Sequence, residues 1–309
     1  MRRTALASLL AAASLAAAPA AGAATAPTSA AATAPTRTAT IAGGAKLGYR
    51  SIGSGRPIVL ATGLGGAIDG WDPTFLDALA ARGHRVVVFD NEGVGRSTAR
   101  PGTLTIRRMG DDLAGLIDAL HLGRPDVAGW SMGGMIAQSF AVRHPGRVRR
   151  LVLLATASGD GAYTAGGAQA SGDLNSSTSD PAAGLALLFP AAQTAARDRY
   201  VRDLFLRKDP NPQATPEVFA RQLAASGRWL AAQDPDGKRI TRLRLPVLVG
   251  GGALDPLLPV ANQRHLAKAI PHAELVTYAD ASHGFFLQHA KEFVPRLAQF
   301  LDAAPRRTA

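Results

Sequence analysis

Short apolar runs alternate with helical patterns along most of this chain, and this alternation limits the folds that it can adopt. Six of the runs are short and bounded by Gly, Pro or Asp, as buried strands are; they lie at residues 58–61, 85–89, 126–128, 148–155, 246–249 and 274–278. Between them, apolar residues recur at helical spacing, for instance over 106–120 and 293–301. Such alternation predicts a mostly parallel sheet that helices cover on both faces. Two further runs, 37–41 and 47–51, flank a pair of glycines and predict an antiparallel hairpin at one edge.

One long interval, about residues 157–241, breaks this alternation because it contains no convincing strand. A structureless loop of that length is uncommon inside a compact domain, and several short helical patterns fall within the interval. We therefore predict a helical insertion that lies over the sheet as a lid. The chain has 309 residues, of which 47% are hydrophobic and 18% charged, a composition typical of a folded protein. We predict one α/β domain over 37–309, with the lid inside it.

The first 36 residues predict an export signal followed by a spacer. Arg2 and Arg3 precede an apolar stretch that ends in small residues, which is the pattern of a secretory signal peptide over residues 1–23. A helix retained in the membrane would need about 20 apolar residues, and Pro19 comes too early for this. Residues 24–36 are almost all Ala, Thr, Pro and Ser, which predicts a flexible spacer. We expect a protein that is secreted or held in the cell envelope, with no stable membrane span after cleavage.

The lack of cysteine and the distribution of charge exclude several classes of function. Without cysteine the chain can form no disulfide and no thiolate nucleophile. The net charge of +11 becomes +9 once the two arginines of the signal peptide are removed. Nucleic-acid binding needs clustered basic residues with stacking aromatics or a known reading module. The densest basic cluster, at 147–150, instead leads into an apolar strand, so we predict no nucleic-acid partner.

The stretch GWSMGG at residues 129–134 indicates a catalytic serine. It follows a predicted strand, and apolar residues at helical spacing come after it, so Ser131 stands where a strand turns sharply into a helix. Such a turn needs almost no side chain two residues before and two residues after the nucleophile, and Gly129 and Gly133 meet that need. The turn would lift the Ser131 hydroxyl above the sheet, at a helix N-terminus that favours developing negative charge.

A serine hydroxyl needs a base, and His283 is the best candidate among the seven histidines. It follows the predicted strand 274–278, at the end of the sheet where ligands bind in folds of this type. For the other six we expect surface or capping roles; they are His84, His121, His144, His265, His272 and His289.

The base in turn needs a carboxylate that orients it. We favour Asp255, which follows the predicted strand 246–249 and lies between the serine and the histidine in chain order. Asp280, three residues before His283, is the competitor, and Asp160 is a third candidate. All three remain possible on the sequence alone.

Two backbone N–H groups should stabilise the oxyanion of an acyl-transfer reaction. One is that of Met132, immediately after the serine. The other should come from the glycine-rich stretch TGLGG at 62–66, where Leu64 is our choice. The oxyanion prediction is therefore Leu64 together with Met132.

With these residues identified, the chain resembles the α/β-hydrolases, in particular the group with a lid that includes serine esterases, enol-lactonases, cofactor-free haloperoxidases and carbon–carbon bond hydrolases. The resemblance covers about residues 37–301 and rests on TGLGG at 62–66, DNEGVGRS at 90–97, GWSMGG at 129–134, GGALDPLLP at 251–259 and SHGFF at 282–286. It implies a mostly parallel sheet flanked by helices and a Ser131–Asp255–His283 triad. The chain departs from the family pattern at two positions, because Thr62 replaces a histidine before the oxyanion glycine and Glu92 replaces an arginine.

These features together predict a secreted serine hydrolase that cleaves a carboxylic ester or lactone of a small molecule. The resemblance also allows carbon–carbon bond hydrolysis or cofactor-free perhydrolysis. A protein of another class, a ligand-binding receptor that keeps the triad but turns over little, is the remaining alternative. No metal or organic cofactor is implied, and nothing in the sequence predicts an oligomeric state. The larger apolar residues of the lid are expected either to line a substrate pocket or to form the core of the lid; they are Leu187, Leu188, Phe189, Phe205 and Trp229.

Overall fold

The structure, a computed structural model, describes residues 29–177, 179–207 and 209–304. The predicted signal peptide, residues 1–23, and the first part of the predicted spacer lie outside the described residues. In the part of the chain that is described, no helix is both long and apolar enough to span a bilayer.

One eight-stranded sheet forms the centre of the molecule, with the spatial order β1-β2-β4-β3-β5-β6-β7-β8. The strands are β1 Arg37–Thr40, β2 Lys46–Ile52, β3 Arg56–Ala61, β4 His84–Phe89, β5 Asp126–Trp130, β6 Leu151–Leu154, β7 Val247–Gly252 and β8 Glu274–Tyr278. Strands β1 and β2 form the predicted antiparallel hairpin at one edge, and β2 also pairs antiparallel with β4. Every other pairing is parallel. The predicted fold class is confirmed.

Helices cover both faces of the sheet. Side chains along each strand alternate between the faces, so apolar side chains lie on both and each face packs against helices. The helices outside the lid are α1 Ala30–Thr33, α2 Pro73–Ala80, α3 Ile106–Ala119, α4 Met132–Arg143, α9 Ala261–Ala269, α10 Phe285–Gln288 and α11 Ala290–Asp302. Val59 and Val87 point to the face that α3 and α4 cover. Ile58 and Val88 point to the opposite face, where α2 and α11 pack. The core therefore consists of two layers, one on each side of the sheet.

Between β6 and β7 the chain forms the predicted helical lid, and its described residues contain no strand. The lid helices are α5 Ala168–Ser176, α6 Pro181–Leu188, α7 Thr194–Leu204 and α8 Pro216–Leu230. The chain enters and leaves the lid at one point: a Cβ on Gly237 would lie 2.4 Å from the Gly159 Cα, and the Trp229 ring packs on Gly159. Trp229 and Phe189 are buried core residues, whereas the Phe205 side chain is exposed.

Residues 29–36 differ from the flexible spacer that their composition predicts. The Ser29 side chain caps α1, and Ala31 and Ala32 are buried. The Ala31 N–H donates to Asp77 Oδ1 at 2.8 Å, while Arg50 Nε donates to Thr36 Oγ1 at 2.9 Å. Small side chains contribute little hydrophobic burial of their own, but they let the backbone approach close enough to form these hydrogen bonds. The partners of these hydrogen bonds are residues elsewhere in the domain, and the composition of residues 29–36 carries no information about them.

The first prediction concerns Asp126, which is fully buried at the start of β5. Burial raises its pKa to about 6, and its ion pair with Arg149 only partly opposes this effect. Because the folded-state pKa lies above the unfolded one, the native state binds the proton more tightly, and stability is lost as pH rises through 6. Between pH 4 and 7 the free energy of unfolding of wild type should fall by up to about 3 kcal/mol relative to that of Asp126→Asn. Urea titrations of both proteins across this range measure the difference, and parallel pH profiles would contradict the prediction.

Candidate active site

Ser131 occupies a sharp turn between β5 and α4, with φ 57° and ψ −122°. Neighbouring backbone makes glycine necessary on either side of it. A Cβ on Gly129 would lie 2.2 Å from the Gly133 carbonyl oxygen, and a Cβ on Gly133 would lie 2.1 Å from the Ala61 carbonyl oxygen. The strand, turn and helix around residues 129–134 are those that the sequence predicts.

Hydrogen bonds from the next strand hold this strained turn in place. The Ser131 N–H donates to the Leu154 carbonyl at 2.9 Å, and the Ser131 carbonyl accepts from Thr156 Oγ1 at 2.7 Å and from the Gly134 N–H at 2.9 Å. The backbone of the serine is thus fully engaged. Its side chain forms no hydrogen bond with any described residue, so the hydroxyl is free to meet a substrate.

His283 and Asp255 form a buried pair on the loops that follow β8 and β7. His283 Nδ1 lies 2.8 Å from Asp255 Oδ2, and the two side chains are 5% and 0% exposed. The other oxygen, Asp255 Oδ1, accepts from the N–H groups of Leu257 and Leu258 at 2.9 Å each. Because a carboxylate can only accept, Nδ1 must carry the proton, and Nε2 is then left with its lone pair.

The structure brings Ser131, the third residue of the predicted triad, to the same edge of the sheet. Trp130, directly before the serine, donates its indole N–H to the His283 carbonyl at 3.2 Å, and the centroids of the Trp130 and His283 rings are 5.8 Å apart. No hydrogen bond joins Ser131 Oγ to His283 Nε2, although both residues are described. In enzymes without bound substrate, a hydrogen bond between nucleophile and base is often long and tightens when substrate binds. Trp130 is a contact that the sequence analysis missed, and its position before the serine was the available signal.

The two competing carboxylates pair with other histidines. Asp160 Oδ2 lies 2.7 Å from His265 Nε2, and Asp280 Oδ1 lies 2.9 Å from His289 Nε2. No hydrogen bond or ion pair joins either of these described carboxylates to His283. His84 departs from its predicted surface or capping role, because it is buried at the start of β4, where burial lowers its pKa.

The glycine-rich stretch after β3 lies against the serine because Ala61 pairs with Gly129 in the sheet. A Cβ on Gly63 would lie 3.8 Å from Ser131 Oγ. The next residue, Leu64, makes no backbone hydrogen bond to a described residue through its N–H. Met132 is the first residue of α4, so its N–H has no acceptor within the helix. Both N–H groups therefore lack a hydrogen-bond partner among the described residues.

The two departures from the family pattern are built into hydrogen-bond networks. The Thr62 hydroxyl accepts from the Trp71 indole N–H at 3.0 Å, and its carbonyl accepts from Asn91 Nδ2 at 2.9 Å. Glu92 is buried and accepts from Arg108 Nε at 2.7 Å and from Arg100 Nε at 2.9 Å. Both residues thus hold loops beside the site through other partners.

The lid contributes directly to the position of the histidine loop. The Leu187 carbonyl, at the end of α6, accepts from the His283 N–H at 3.3 Å and from Ser282 Oγ at 2.7 Å. The Leu188 carbonyl accepts from the Gly284 N–H at 3.0 Å. These acceptors are backbone groups, so no side-chain pattern in the sequence could have predicted them.

No group of three or more His, Asp or Glu side chains that could hold a metal ion occurs among the described residues. The charged groups at this edge are instead the partners of hydrogen bonds within the protein. The arrangement of Ser131, His283 and Asp255 is one that can activate a serine hydroxyl for attack on a carbonyl carbon.

Comparison with known proteins agrees with the fold. The family model described as alpha/beta hydrolase fold matches residues 56–290. The pimeloyl-[acyl-carrier protein] methyl ester esterase of Chromobacterium violaceum is 32% identical over 82% of this chain and 96% of its own length. The 2-hydroxy-6-oxo-2,4-heptadienoate hydrolase of Pseudomonas putida is 28% identical over 85% of this chain and 95% of its own. The crystal structure of the enol-lactonase from Burkholderia xenovorans has a TM-score of 0.68 and 26% identity, covering 86% of this chain and 100% of that one.

A family match over more than half of the chain defines its class. The chain belongs to the α/β-hydrolase family. It is a hydrolase of that family, with an esterase among its relatives and a lactonase among its structural neighbours.

Proposed function

We propose that this protein is a serine hydrolase that cleaves a carboxylic ester or lactone, with Ser131 as nucleophile, His283 as general base and Asp255 as the residue that orients the base. The observation that carries the proposal is the 2.8 Å contact between His283 Nδ1 and Asp255 Oδ2 at the sheet edge where Ser131 turns upward. That contact leaves the Nε2 lone pair for the serine proton.

In the proposed reaction Ser131 Oγ attacks the substrate carbonyl while His283 Nε2 takes the hydroxyl proton. The negative charge that develops on the carbonyl oxygen is stabilised by the N–H groups of Leu64 and Met132. Collapse of the tetrahedral intermediate breaks the ester bond, and His283 returns the proton to the leaving alkoxide. Water then attacks the acyl-enzyme by the same steps in reverse and releases the acid.

The choice of an ester or lactone is supported by two of the comparisons. One relative is named as a methyl ester esterase and one structural neighbour as an enol-lactonase. A lactone is a cyclic ester, so one mechanism serves both substrates. The second candidate, carbon–carbon bond hydrolysis, is favoured by the relative named as a 2-hydroxy-6-oxo-2,4-heptadienoate hydrolase.

A substrate panel tests the proposal. Purified protein is assayed with p-nitrophenyl esters of increasing acyl length, with lactones of increasing ring size, and with a vinylogous 1,5-diketone for carbon–carbon cleavage. We expect turnover of at least one ester or lactone and none of the diketone. Turnover of the diketone alone would support the second candidate. A lack of turnover on every compound would favour the ligand-binding receptor.

The proposal includes export to the cell envelope or the medium, on the strength of the signal-peptide pattern in residues 1–23. Cleavage after residue 23 would leave the packed segment 29–36 intact. Fractionation of cells that express the full chain, with sequencing of the mature N-terminus, tests this part. An unprocessed cytoplasmic protein would contradict it.

A further inference from the structure

The lid meets the oxyanion loop, residues 62–66, through one buried side chain on α8. Gln222 is fully buried, and its Oε1 accepts from the Gly65 N–H at 2.8 Å. One turn earlier on the helix, the Phe219 ring covers the same glycine, since a Cβ on Gly65 would lie 2.7 Å from the ring. Gly65 also has φ +71°, which disfavours any other residue. Helix α8 therefore sets the position of Gly65, whose neighbour Leu64 carries the proposed oxyanion N–H.

The Gly65 contact also fixes which way the Gln222 amide faces. A backbone N–H can only donate, so the oxygen of the amide must face Gly65 and the NH₂ group must face away. Nitrogen and oxygen of one amide are about 2.2 Å apart, which keeps Nε2 within about 5 Å of the Gly65 nitrogen. This nitrogen is buried, and no described residue accepts a hydrogen bond from it. A buried donor without an acceptor is costly, so the native site gains if a ligand supplies one.

We propose that Gln222 is a positioning and specificity residue: its oxygen holds the oxyanion loop, and its amide NH₂ donates to a second acceptor oxygen on the substrate, close to the scissile carbonyl. The substrate class is then an ester or lactone that carries a ketone, amide or carboxylate oxygen within a few bonds of the reacting carbon. This inference rests on the proposed function, because it assigns the oxyanion to the Leu64 N–H.

Matched esters separate the two roles of Gln222. Methyl pentanoate and methyl 3-oxopentanoate differ by the replacement of one CH₂ with a carbonyl, and each kcat/KM is divided by the rate constant for hydroxide attack on the un-ionised form of the same ester. Wild type should prefer the oxo ester in kcat/KM by at least about fivefold. This is the smallest effect expected when a buried donor that lacked a partner gains a hydrogen bond. Gln222→Met, which keeps the side-chain length but has neither amide group, should reduce this preference to less than twofold.

The rate on methyl pentanoate, which lacks the second oxygen, measures the positioning role of Gln222 separately. For methyl pentanoate, Gln222→Met should lower kcat by about 10- to 100-fold with KM nearly unchanged, because the oxyanion donor is displaced rather than the binding surface. Gln213→Met is the matched control. Gln213 is exposed, and its Oε1 accepts from the Ala67 N–H at 3.2 Å, just beyond the same loop. We expect this control to leave both the preference and kcat within twofold of wild type.

Gln222→Glu gives a second test if the methionine variant does not fold. Its carboxylate can still accept from Gly65 but cannot donate, and it repels the second oxygen that only the oxo ester carries, so the preference should disappear or reverse. Equal normalised rates on both esters in wild type would overturn the inference. A Gln222→Met protein that is slower on both esters by the same factor would also overturn it, because the preference would then not depend on Gln222. If wild type hydrolyses no ester and does not react with a fluorophosphonate, the proposed function fails as well. If it reacts with the probe but shows no preference, only this inference fails.

Discussion

Replacement of Ser131 by alanine is expected to reduce kcat/KM for the best ester or lactone by about 10⁴-fold or more, because it removes the hydroxyl that forms the acyl-enzyme in the proposed mechanism. The hydroxyl makes no hydrogen bond within the described chain, so its removal should leave the fold intact. Initial rates and thermal unfolding of the two proteins measure both effects.

Ser158 provides a matched control for this substitution. Its hydroxyl donates to Asp160, which in turn contacts His265, so the same three residue types meet at the base of the lid. In that cluster the serine bonds to the carboxylate rather than to the imidazole, which leaves it without a base. Ser158→Ala should keep activity within about threefold of wild type, because Ser158 is buried outside the proposed catalytic residues. A Ser131→Ala protein with more than a tenth of wild-type activity would contradict the assignment of the nucleophile.

Asp255→Asn is expected to reduce kcat by about 10⁴-fold with little change in KM. The reason lies in the hydrogen bonds of the carboxylate. Oδ1 accepts from two backbone N–H groups, so an asparagine would keep its oxygen there and turn its NH₂ towards His283 Nδ1. His283 would then adopt the tautomer with the proton on Nε2 and could no longer accept the proton of Ser131. Steady-state kinetics across pH 5 to 9 measure the loss.

Asp160→Asn and Asp280→Asn are the controls, since the sequence left both as candidates for the same role. Each contacts a histidine other than His283, and both variants should remain within about threefold of wild-type kcat. A large loss in either control, or a small loss in Asp255→Asn, would require a different acid in the site.

The sequence predicted most of the sheet and the sharp turn at Ser131 because both follow from short-range patterns. Strands such as β4 and β7 contain short apolar runs, VVVF and VLV, and glycine is needed at Gly129 and Gly133 because neighbouring backbone leaves no room for a side chain. His283 could be singled out because chain order and position after a strand limit the base to one edge. Chain order favoured Asp255 over Asp280 and Asp160, but which carboxylate contacts His283 depends on where the side chains point in the folded chain.

What the sequence could not predict depends on contacts between distant segments. Residues 29–36 have the composition of a spacer, yet their backbone finds partners in Asp77 and Arg207. The lid could be located as an interval without strands, but its hold on the histidine loop runs through the Leu187 carbonyl, which carries no residue-specific signal. Polar contacts of this kind are set by the final packing and leave no periodicity to detect.

Reaction of the purified protein with a fluorophosphonate probe, followed by mass spectrometry of its peptides, tests the central claim most directly. A serine that is activated by a histidine should react, so we expect one label per chain, located on Ser131, and no label on Ser131→Ala. Prior treatment with an ester substrate should slow the labelling of wild type. A label on another residue, or a wild type that hydrolyses esters without being labelled or inhibited, would contradict the account.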